Sequence, residues 1–248
     1  MEILGIDIGG SGIKGAIVNL HTGELCTPKF RIPTPKSRKP EPMARAVEAI
    51  IQHFEYEGIV GCGFPTIIKK GVCKDEGNLH KDWVGVNVEQ LFEKTTGFNF
   101  TVINDADAAG LAELNFGAGQ DEEGFILMIT VGTGLGSGAY FDGELIPNFE
   151  LGQLSYNEYE KIEDWAASSI KKKEDLSYKK WAKRFNVFIN HIFKVLNPDL
   201  ILVGGGISKH WKKYDEYLKV NTRLAPAKLR NTAGILGAAI AAKNLYGD

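Results

Sequence analysis

The sequence is poor in cysteine and has no long apolar run. Its 3 cysteines, Cys26, Cys62 and Cys73, form no CxxC pair and have no histidine at zinc-finger spacing, so we expect no structural zinc. We interpret them as small buried hydrophobic residues in a reducing compartment. The longest apolar stretches, such as residues 126–131 and 234–242, are far shorter than the roughly 20 residues of a membrane-spanning helix. These absences argue against a disulfide scaffold and a membrane partner.

A leader and an N-terminal DNA-binding domain are also not apparent. A strand pattern begins within two residues of Met1, so we expect no signal peptide, no nucleic-acid partner and a cytoplasmic location. The 248 residues, 44% of them hydrophobic, suffice for one large α/β domain or two smaller ones. Residues 33–42 are rich in proline and predict a turn-rich surface loop.

One phrase of the sequence occurs twice. Residues 3–25 read ILGIDIGGSGIKGAIVNLHTGEL, and residues 126–145 read ILMITVGTGLGSGAYFDGEL. Each copy predicts a buried strand, a glycine-rich turn, a second strand and a hairpin. Because the copies lie more than 120 residues apart, they are not the period of a solenoid and indicate two related domains. The alternative is that both are ordinary hairpin turns.

The first glycine turn matches GxGxxG at residues 10–15 but does not fit a dinucleotide-binding fold. That fingerprint must open a helix, whereas the following IKGAIVNL predicts a strand. A glycine turn between antiparallel strands still binds phosphate, because its backbone N–H groups converge on an anion. We therefore expect phosphate or nucleotide contacts from three glycine-rich segments. Their residues are Gly9, Gly10, Ser11, Gly12 and Lys14; Gly132, Thr133, Gly134 and Gly136; and Gly204, Gly205 and Gly206.

Two carboxylates end predicted strands near these turns. A carboxylate beside phosphates is repulsive unless a cation intervenes, so we expect Asp7 to hold Mg²⁺, whereas Thr130 at the equivalent position of the second copy is neutral. Asp105 follows a predicted strand at its C-terminal end, where open α/β sheets place ligands. It is the candidate catalytic base, with a helix N-cap as the alternative role. Asp107 is interpreted as a helix-start carboxylate.

Three ordered motifs carry a resemblance to a known family. The segments DIGGSGIK from Asp7, VGTGLGSG from Val131 and GGGIS from Gly204 resemble the two phosphate motifs and the adenosine motif of actin-like sugar kinases. Within that superfamily the chain resembles the ROK family, and NDADAAGLAE, DGELIPNFELGQL and GGGISK resemble its polyphosphate glucokinase branch. The resemblance implies an α/β, actin-like (ribonuclease H-like) two-domain sugar kinase fold, a duplicated β-meander plus helices with a cleft between domains. We place the N-terminal domain at residues 1–110 plus 231–248 and the C-terminal domain at 111–230.

The resemblance also implies a reaction. A phosphoryl group would pass from polyphosphate, ATP or both to the 6-hydroxyl of glucose or a close hexose, with Asp105 as base, Mg²⁺ as cofactor and a homodimer as the assembly. Three alternatives stay open: a catalytically weak sugar-sensing protein, an ATP-only kinase for another hexose such as mannose, and an actin-like phosphotransferase with a different acceptor.

A hexose needs paired hydrogen-bonding groups, because a polyol offers donors and acceptors in fixed directions. Gln153 stands where ROK kinases have a histidine, and Ser155 and Tyr156 replace a glutamate that the polyphosphate branch shows nearby. The sugar pocket thus departs from the family pattern at these positions. The expected sugar-binding residues are Asn104, Glu150 and Gln153, with Asn78, Pro65 and Thr66 as weaker additions.

Positive charge is concentrated in the C-terminal half. Residues 171–230 contain fifteen Lys or Arg and five Asp or Glu, a net charge of +10 in a chain whose total is -2. The densest run is KKKEDLSYKKWAKR, from Lys171 to Arg184. It fits either a guide for a polyphosphate chain or a solvated helix face. The aromatic residues at helical spacing in residues 176–197 are assigned to the core.

Overall fold

A computed structural model describes residues 1–246 of the chain. The chain divides into two compact units, one made of Met1–Phe116 and the C-terminal segment that starts at Thr232, the other of Gly117–Asn231. Each unit contains one mixed β-sheet covered by helices. The architecture is α/β, as the sequence predicts.

The first unit is built on a six-stranded sheet. Its strands are β1 (Glu2–Ile8), β2 (Ile13–Asn19), β3 (Glu24–Leu25), β4 (Phe30–Ile32), β5 (Val60–Phe64) and β8 (Phe100–Asn104), with the hairpin β6 (Ile68–Lys69) and β7 (Val72–Cys73) apart from it. The order is β3-β2-β1-β5-β8, with β4 also beside β2. Strands β1, β5 and β8 are parallel, whereas β2 is antiparallel to β1. The helices are α1 (Pro40–Phe54), α2 (Val88–Thr96), α3 (Asp105–Phe116) and α7 (Ala233–Tyr246).

The second unit repeats this sheet. Its strands are β9 (Phe125–Val131), β10 (Leu135–Phe141), β11 (Glu144–Ile146), β12 (Leu200–Gly204) and β13 (Arg223–Pro226), in the order β11-β10-β9-β12-β13. Strands β9, β12 and β13 are parallel, and β10 is antiparallel to β9. The helices are α4 (Glu163–Ala166), α5 (Ser168–Lys173) and α6 (Tyr178–Leu196). The two sheets therefore share one topology, which accounts for the doubled phrase in the sequence.

The register of the two sheets defines equivalent positions. Asp7 in β1 is paired with Lys14 in β2 and with Gly63 in β5. Thr130 in β9 is paired with Gly136 in β10 and with Gly204 in β12. The neutral Thr130 thus occupies the place in the second sheet that Asp7 occupies in the first.

One sequence-based expectation, the burial of Cys26, is wrong. The segment from Leu25 to Ile32 is not a continuous strand either, because β3 ends at Leu25 and β4 begins at Phe30. Pro28 lies between them and has no N–H to donate to a ladder. Cys26 is exposed, whereas Cys62 and Cys73 are buried as expected.

Each unit has its own apolar core. In the second unit the aromatic face of α6 is buried, which confirms its assignment to the core; the buried residues include Trp181, Phe185 and Phe188. In the first unit, strands β1, β5 and β8 pack against α1 and α2. No helix of the described residues is long and apolar enough to cross a membrane.

Helix α7 lies directly on the first sheet because the strands below it carry glycine. Gly5 and Gly61 are neighbours on β1 and β5. A Cβ atom on Gly5 would overlap the carbonyl group of Ile235, and one on Gly61 would overlap that of Ala238, both in α7. The absence of these two side chains lets the helix backbone rest on the sheet.

We expect Gly61→Ala to destabilise the protein by about 1–3 kcal/mol, since the new methyl group meets helix backbone that cannot rotate away. The measurement is the shift of the urea unfolding midpoint. Gly206→Ala is the matched control, because a Cβ atom there meets nothing within 4 Å and its φ is not positive. Equal losses in the two variants would contradict the packing argument.

Candidate active site

Two carboxylates lie at the carboxyl edge of the first sheet. Asp7 is paired with Gly63, and Gly63 with Ile103. Adjacent strands are about 4.8 Å apart, so the backbones of Asp7 and Ile103 are roughly 10 Å apart. Asp105 follows Ile103 by two residues, and its Cα lies 3.8 Å from the position of a Cβ on Gly63. The glycine leaves the space between the two acidic residues unfilled by a side chain.

The start of α3 is capped by Asn104, not by Asp105. The side-chain oxygen of Asn104 accepts hydrogen bonds from the backbone N–H of Ala106 at 2.8 Å and of Asp107 at 3.2 Å. Its amide group donates to the carbonyl oxygen of Thr66 at 3.3 Å. These bonds satisfy helix-start donors as an N-cap does. The helix therefore does not need the Asp105 carboxylate as its cap.

The environment of Asp105 suits proton transfer. Burial is the main cause that raises the pKa of Asp105, and the negative charge of Asp7 raises it further. Hydrogen bonds from the backbone N–H groups at 105 and 106 lower it, and the resulting pKa is about 7. A carboxylate with a pKa near the working pH is an effective general base, because it is ionised in a large fraction of molecules and still binds a proton readily.

Asp7 forms an ion pair within its own sheet. Lys14 Nζ donates to Asp7 Oδ2 at 3.0 Å, and the Asp7 side chain is 19% exposed. Gly234 of α7 packs against this carboxylate, since a Cβ atom there would lie 2.9 Å from Asp7 Cγ. Asp7 is thus enclosed on the helix side and faces one cation.

Side chains that follow in the sequence hold the carbonyl groups of the first glycine turn. The Arg31 guanidinium donates to the Ser11 carbonyl oxygen. Thr34 Oγ1 donates to the Gly9 carbonyl oxygen at 2.6 Å, and Arg38 Nη2 donates to the Gly10 carbonyl oxygen at 3.3 Å. The turn is closed by a bond from Gly9 N–H to the Gly12 oxygen at 3.0 Å. With its carbonyl groups bound from one side, the turn has a defined shape for an anion.

Arg38 connects this turn to the predicted sugar-binding segment. Its Nη1 donates to the carbonyl oxygen of Asn78 at 2.6 Å, and its own carbonyl oxygen accepts from Trp83 Nε1 at 2.8 Å. A Cβ atom on Gly77 would lie 3.2 Å from the Pro65 oxygen, so the segment before Asn78 packs on the Pro65–Thr66 turn. The structure brings these expected sugar residues together in the first unit.

The second glycine turn is held by the residues at the start of α5. Ser168 Oγ donates to the Gly132 oxygen at 2.9 Å, and Ser169 Oγ donates to the Thr133 oxygen at 2.6 Å. Gly132 N–H closes the turn on the Gly134 oxygen at 3.0 Å. Two serine hydroxyls thus bind the carbonyl groups of the glycine turn in the second unit, as Thr34 and two arginines do in the first.

Glu163 joins this turn to the predicted sugar residue Gln153. Its Oε2 accepts from Leu135 N–H at 2.9 Å, and its Oε1 accepts from Gln153 Nε2 at 3.1 Å. The segment that carries Glu150 is anchored to β10 by Ser137, whose hydroxyl accepts from Leu151 N–H at 2.9 Å. Glu150 and Gln153 are therefore fixed relative to the glycine turn of their own unit.

The third glycine motif adjoins the second within this unit. Gly205 has a φ of 75° and packs against the backbone of Val131, where no Cβ atom would fit. Ser208 donates through its hydroxyl to the Gly205 oxygen at 2.9 Å. Gly204 ends β12 opposite Thr130. Residues 132–136 and 204–206 thus form one glycine-lined edge.

Comparison with known proteins gives the chain a family. The family model described as "ROK family" matches residues 3–148. The polyphosphate glucokinase of Mycobacterium tuberculosis is 41% identical over 238 residues, which cover 96% of this chain and 89% of that protein. The chain belongs to the ROK family.

Solved structures agree with this ROK assignment. The inorganic polyphosphate/ATP-glucomannokinase of Arthrobacter sp. strain KM superposes with a TM-score of 0.94 at 40% identity, covering 99% of both chains. A ROK family glucokinase from Streptomyces griseus, solved with glucose and AMPPNP, superposes with a TM-score of 0.82 at 21% identity over 98% of this chain and 100% of that one, a likeness in fold. The actin-like sugar kinase fold expected from the motifs is confirmed.

Sequence reasoning missed two residues of this ROK site. Arg38 lies in the proline-rich segment that predicts only a surface loop, and Glu163 lies ten residues after Gln153 with no motif around it. The excess of basic residues in the loop was a usable signal for Arg38, since arginine often binds turn carbonyl groups. Nothing local in the sequence marks Glu163.

The raised pKa of Asp105 predicts a pH-dependent cost of folding. In the unfolded chain the Asp105 carboxyl has its ordinary pKa of 3.8, and in the folded chain its pKa is about 7. Stability from this group is therefore present below about pH 4 and lost as the pH rises to 7. We expect Asp105→Asn to raise the free energy of unfolding by about 1–3 kcal/mol at pH 8 and to change it little at pH 4.

The measurement is urea unfolding in EDTA, so that no metal ion contributes. Asp121→Asn, at an exposed turn, is the control and should give a difference that does not depend on pH. If the Asp105→Asn difference were also constant between pH 4 and pH 8, the proposed environment of Asp105 would be wrong.

Proposed function

We propose that this chain is a glucokinase that transfers a phosphoryl group from polyphosphate, ATP or both to the 6-hydroxyl of glucose or a close hexose. The observation that carries the proposal is the pair Asp7 and Asp105 at one edge of the first sheet, beside a glycine turn whose shape is fixed. Two further findings support the proposal: the chain belongs to the ROK family, and a relative at 41% identity is named polyphosphate glucokinase.

Asp105 acts as the general base in this proposal. It accepts the proton of the attacking hydroxyl, for which its pKa of about 7 is suited. Asn104 positions it by capping α3 and by its bond to the Thr66 oxygen, which also fixes the Pro65–Thr66 turn. The base and the first set of sugar-binding groups are thereby parts of one rigid corner.

The residues around Asp7 fit a magnesium ion bound mainly through the donor. Mg²⁺ is usually held by one or two carboxylates together with substrate phosphates. Among the described residues no group of three or more His, Cys, Asp or Glu is placed to hold a metal. Asp7 would therefore contribute a carboxylate, and the substrate phosphates would supply further ligands. When bound, the ion would neutralise charge on the phosphates. Lys14, now paired with Asp7, is positioned to pair with a phosphate oxygen.

The glycine turns supply backbone N–H donors to the transferring phosphates. In the second unit, Glu150 and Gln153 supply hydrogen-bonding groups for a hexose, and Glu163 orients the Gln153 amide. Glutamine can donate and accept at this position but lacks an imidazole. A second candidate, a kinase that also or mainly accepts mannose, is supported by the glucomannokinase named among the structural relatives.

A cytoplasmic location and a homodimer belong to the proposal as well. The three cysteines of the described chain are all free, which fits a reducing compartment. The homodimer rests on the family resemblance.

A donor and acceptor panel tests the function. We expect the purified protein with Mg²⁺ to phosphorylate glucose, and mannose less or comparably, with polyphosphate and with ATP assayed separately as donors. Asp105→Asn should lower kcat by about 10²–10⁴ while glucose binding stays measurable by calorimetry. Asp107→Asn, two residues along the same helix, is the matched control and should keep far more activity. No turnover of any sugar with either donor would remove the kinase proposal.

Arg38 tests the link between the phosphate turn and the sugar segment. Arg38→Met removes bonds to the Gly10 and Asn78 oxygens, and we expect kcat/KM for glucose to fall about tenfold, near the lower value for one charge-assisted hydrogen bond. Arg45→Met, an exposed change in α1, should leave kcat/KM within about twofold. Similar values for the two variants would show that Arg38 has no positioning role.

A further inference from the structure

A basic cavity of about 450 Å³ lies in the second unit, next to the third glycine motif. Its lining comes from residues 208–213 and from residues 226–230. Five of the lining residues are Lys or Arg, and none of those described is Asp or Glu; the five are Lys209, Lys212, Lys213, Lys228 and Arg230. Positive charges on concave walls reinforce one another and attract anions more strongly than charges spread on a flat surface.

A second group of cations extends this cavity. Lys171 Nζ lies 4.2 Å from the centre of the Tyr178 ring, and Lys213 Nζ lies 5.4 Å from the same centre. The ring of His210 is 5.5 Å from the Tyr178 ring. Lys171 in α5 and the cavity residue Lys213 therefore meet over one tyrosine, although they are far apart in the sequence. The basic surface made of the cavity and Lys171 is called the basic track below.

The charges of the basic track act on one another. The pKa of His210 is lowered first by desolvation and then by the charges of Lys213, Lys209 and Lys171. Lys212 has a carboxylate partner, Asp215, at 3.7 Å. Protonating a further group in this surface is unfavourable, as expected where like charges are held close together.

The basic track begins at the third glycine motif. Ser208, which lines the cavity, donates to the Gly205 oxygen at 2.9 Å. Ala227, also in the lining, has its Cβ 3.4 Å from the position of a Cβ on Gly204. An anion held at the glycine-lined edge of the second unit would thus continue directly into the cavity.

We propose that the basic track binds the distal phosphates of a linear inorganic polyphosphate, the part of the donor chain that is not transferred. This inference rests on the proposed function, because it assigns the rest of the donor. A nucleotide carries its negative charge at the phosphate end, and its adenosine is neutral. Five cations along one cavity therefore match a nucleotide poorly. A polyphosphate repeats its charge along its length and matches a row of cations that starts at the glycine motif.

The structure also separates the basic run of residues 171–184 into parts. Arg184 is held by Glu174 at 2.6 Å and lies over the Trp165 ring, while Lys179 lies over Tyr217. Of these three basic side chains, only Lys171 shares its aromatic partner with a cavity residue. The proposed polyphosphate path therefore joins the cavity to the start of the run, whereas Lys179 and Arg184 have other partners.

The test is a double variant, Lys209→Gln/Lys213→Gln, with Lys94→Gln/Lys243→Gln as a control of equal charge change at exposed positions of the first unit. Binding of fluorescein-labelled polyphosphate of about 100 phosphates is measured by anisotropy without sugar, at several salt concentrations. We expect the track variant to bind about tenfold more weakly and to show a flatter dependence of log Kd on log salt, because fewer counterions are released. The control should bind like the wild type.

Kinetics give the second readout, as the ratio of KM for the long chain to KM for tripolyphosphate. That ratio should rise about tenfold in the track variant, since tripolyphosphate has far fewer phosphates to place along the basic track than the long chain has. Lys209→Arg/Lys213→Arg keeps the charge and should restore both readouts, which separates loss of charge from damage to the fold.

The outcomes distinguish this inference from the proposed function. Unchanged binding of the long chain, or an equal loss for ATP, tripolyphosphate and the long chain, would overturn the basic track; a loss confined to ATP would make the cavity a nucleotide site. Long-chain binding that depends on the track, without turnover of any sugar, would refute the kinase function and leave the track standing.

Discussion

The first unit depends on a contact between backbone and backbone. Gly5 and Gly61 remove two side chains from the face of the sheet that α7 covers, so the helix rests on β1 and β5. Only at that depth does Gly234 reach the carboxylate of Asp7. Gly63 continues the same opening between Asp7 and Asp105. Glycine at positions 5 and 61 therefore seats the helix, and glycine at position 63 leaves the space between the two acidic residues free of a side chain.

The two units share this architecture but not its charge. Their strand order is the same, yet Asp7 and Lys14 in the first are Thr130 and Gly136 in the second. A duplicated sheet thus offers one charged edge and one neutral edge. In the second unit, five cations line the cavity that follows Gly204–Gly206. The residues paired at the strand ends, Thr130 and Gly136, are neutral, whereas Asp7 and Lys14 in the first unit carry charge.

The sequence predicts what is encoded locally. Glycine turns between apolar runs predict the two meanders, and the helical spacing of Trp181, Phe185 and Phe188 predicts their burial. What it misses depends on partners far along the chain. Arg38 matters because it bonds Asn78, forty residues away, and Glu163 because it bonds Gln153 and Leu135. No spacing rule covers such pairs, since chain folding alone decides which loops become neighbours.

The strand-to-helix turn at Asn104 and Asp105 shows how one local structure serves two needs. A helix start requires an oxygen that accepts from its first N–H groups, and a general base requires a carboxylate that is not consumed by such bonds. If Asp105 were the cap, its bonds to several N–H groups would favour ionisation and lower its pKa. Asn104 accepts from Ala106 and Asp107, and the backbone N–H groups at 105 and 106 lower the pKa of Asp105 less than burial and the charge of Asp7 raise it. The order Asn then Asp, not either residue alone, is what lets a stable helix begin at a carboxylate poised to take a proton.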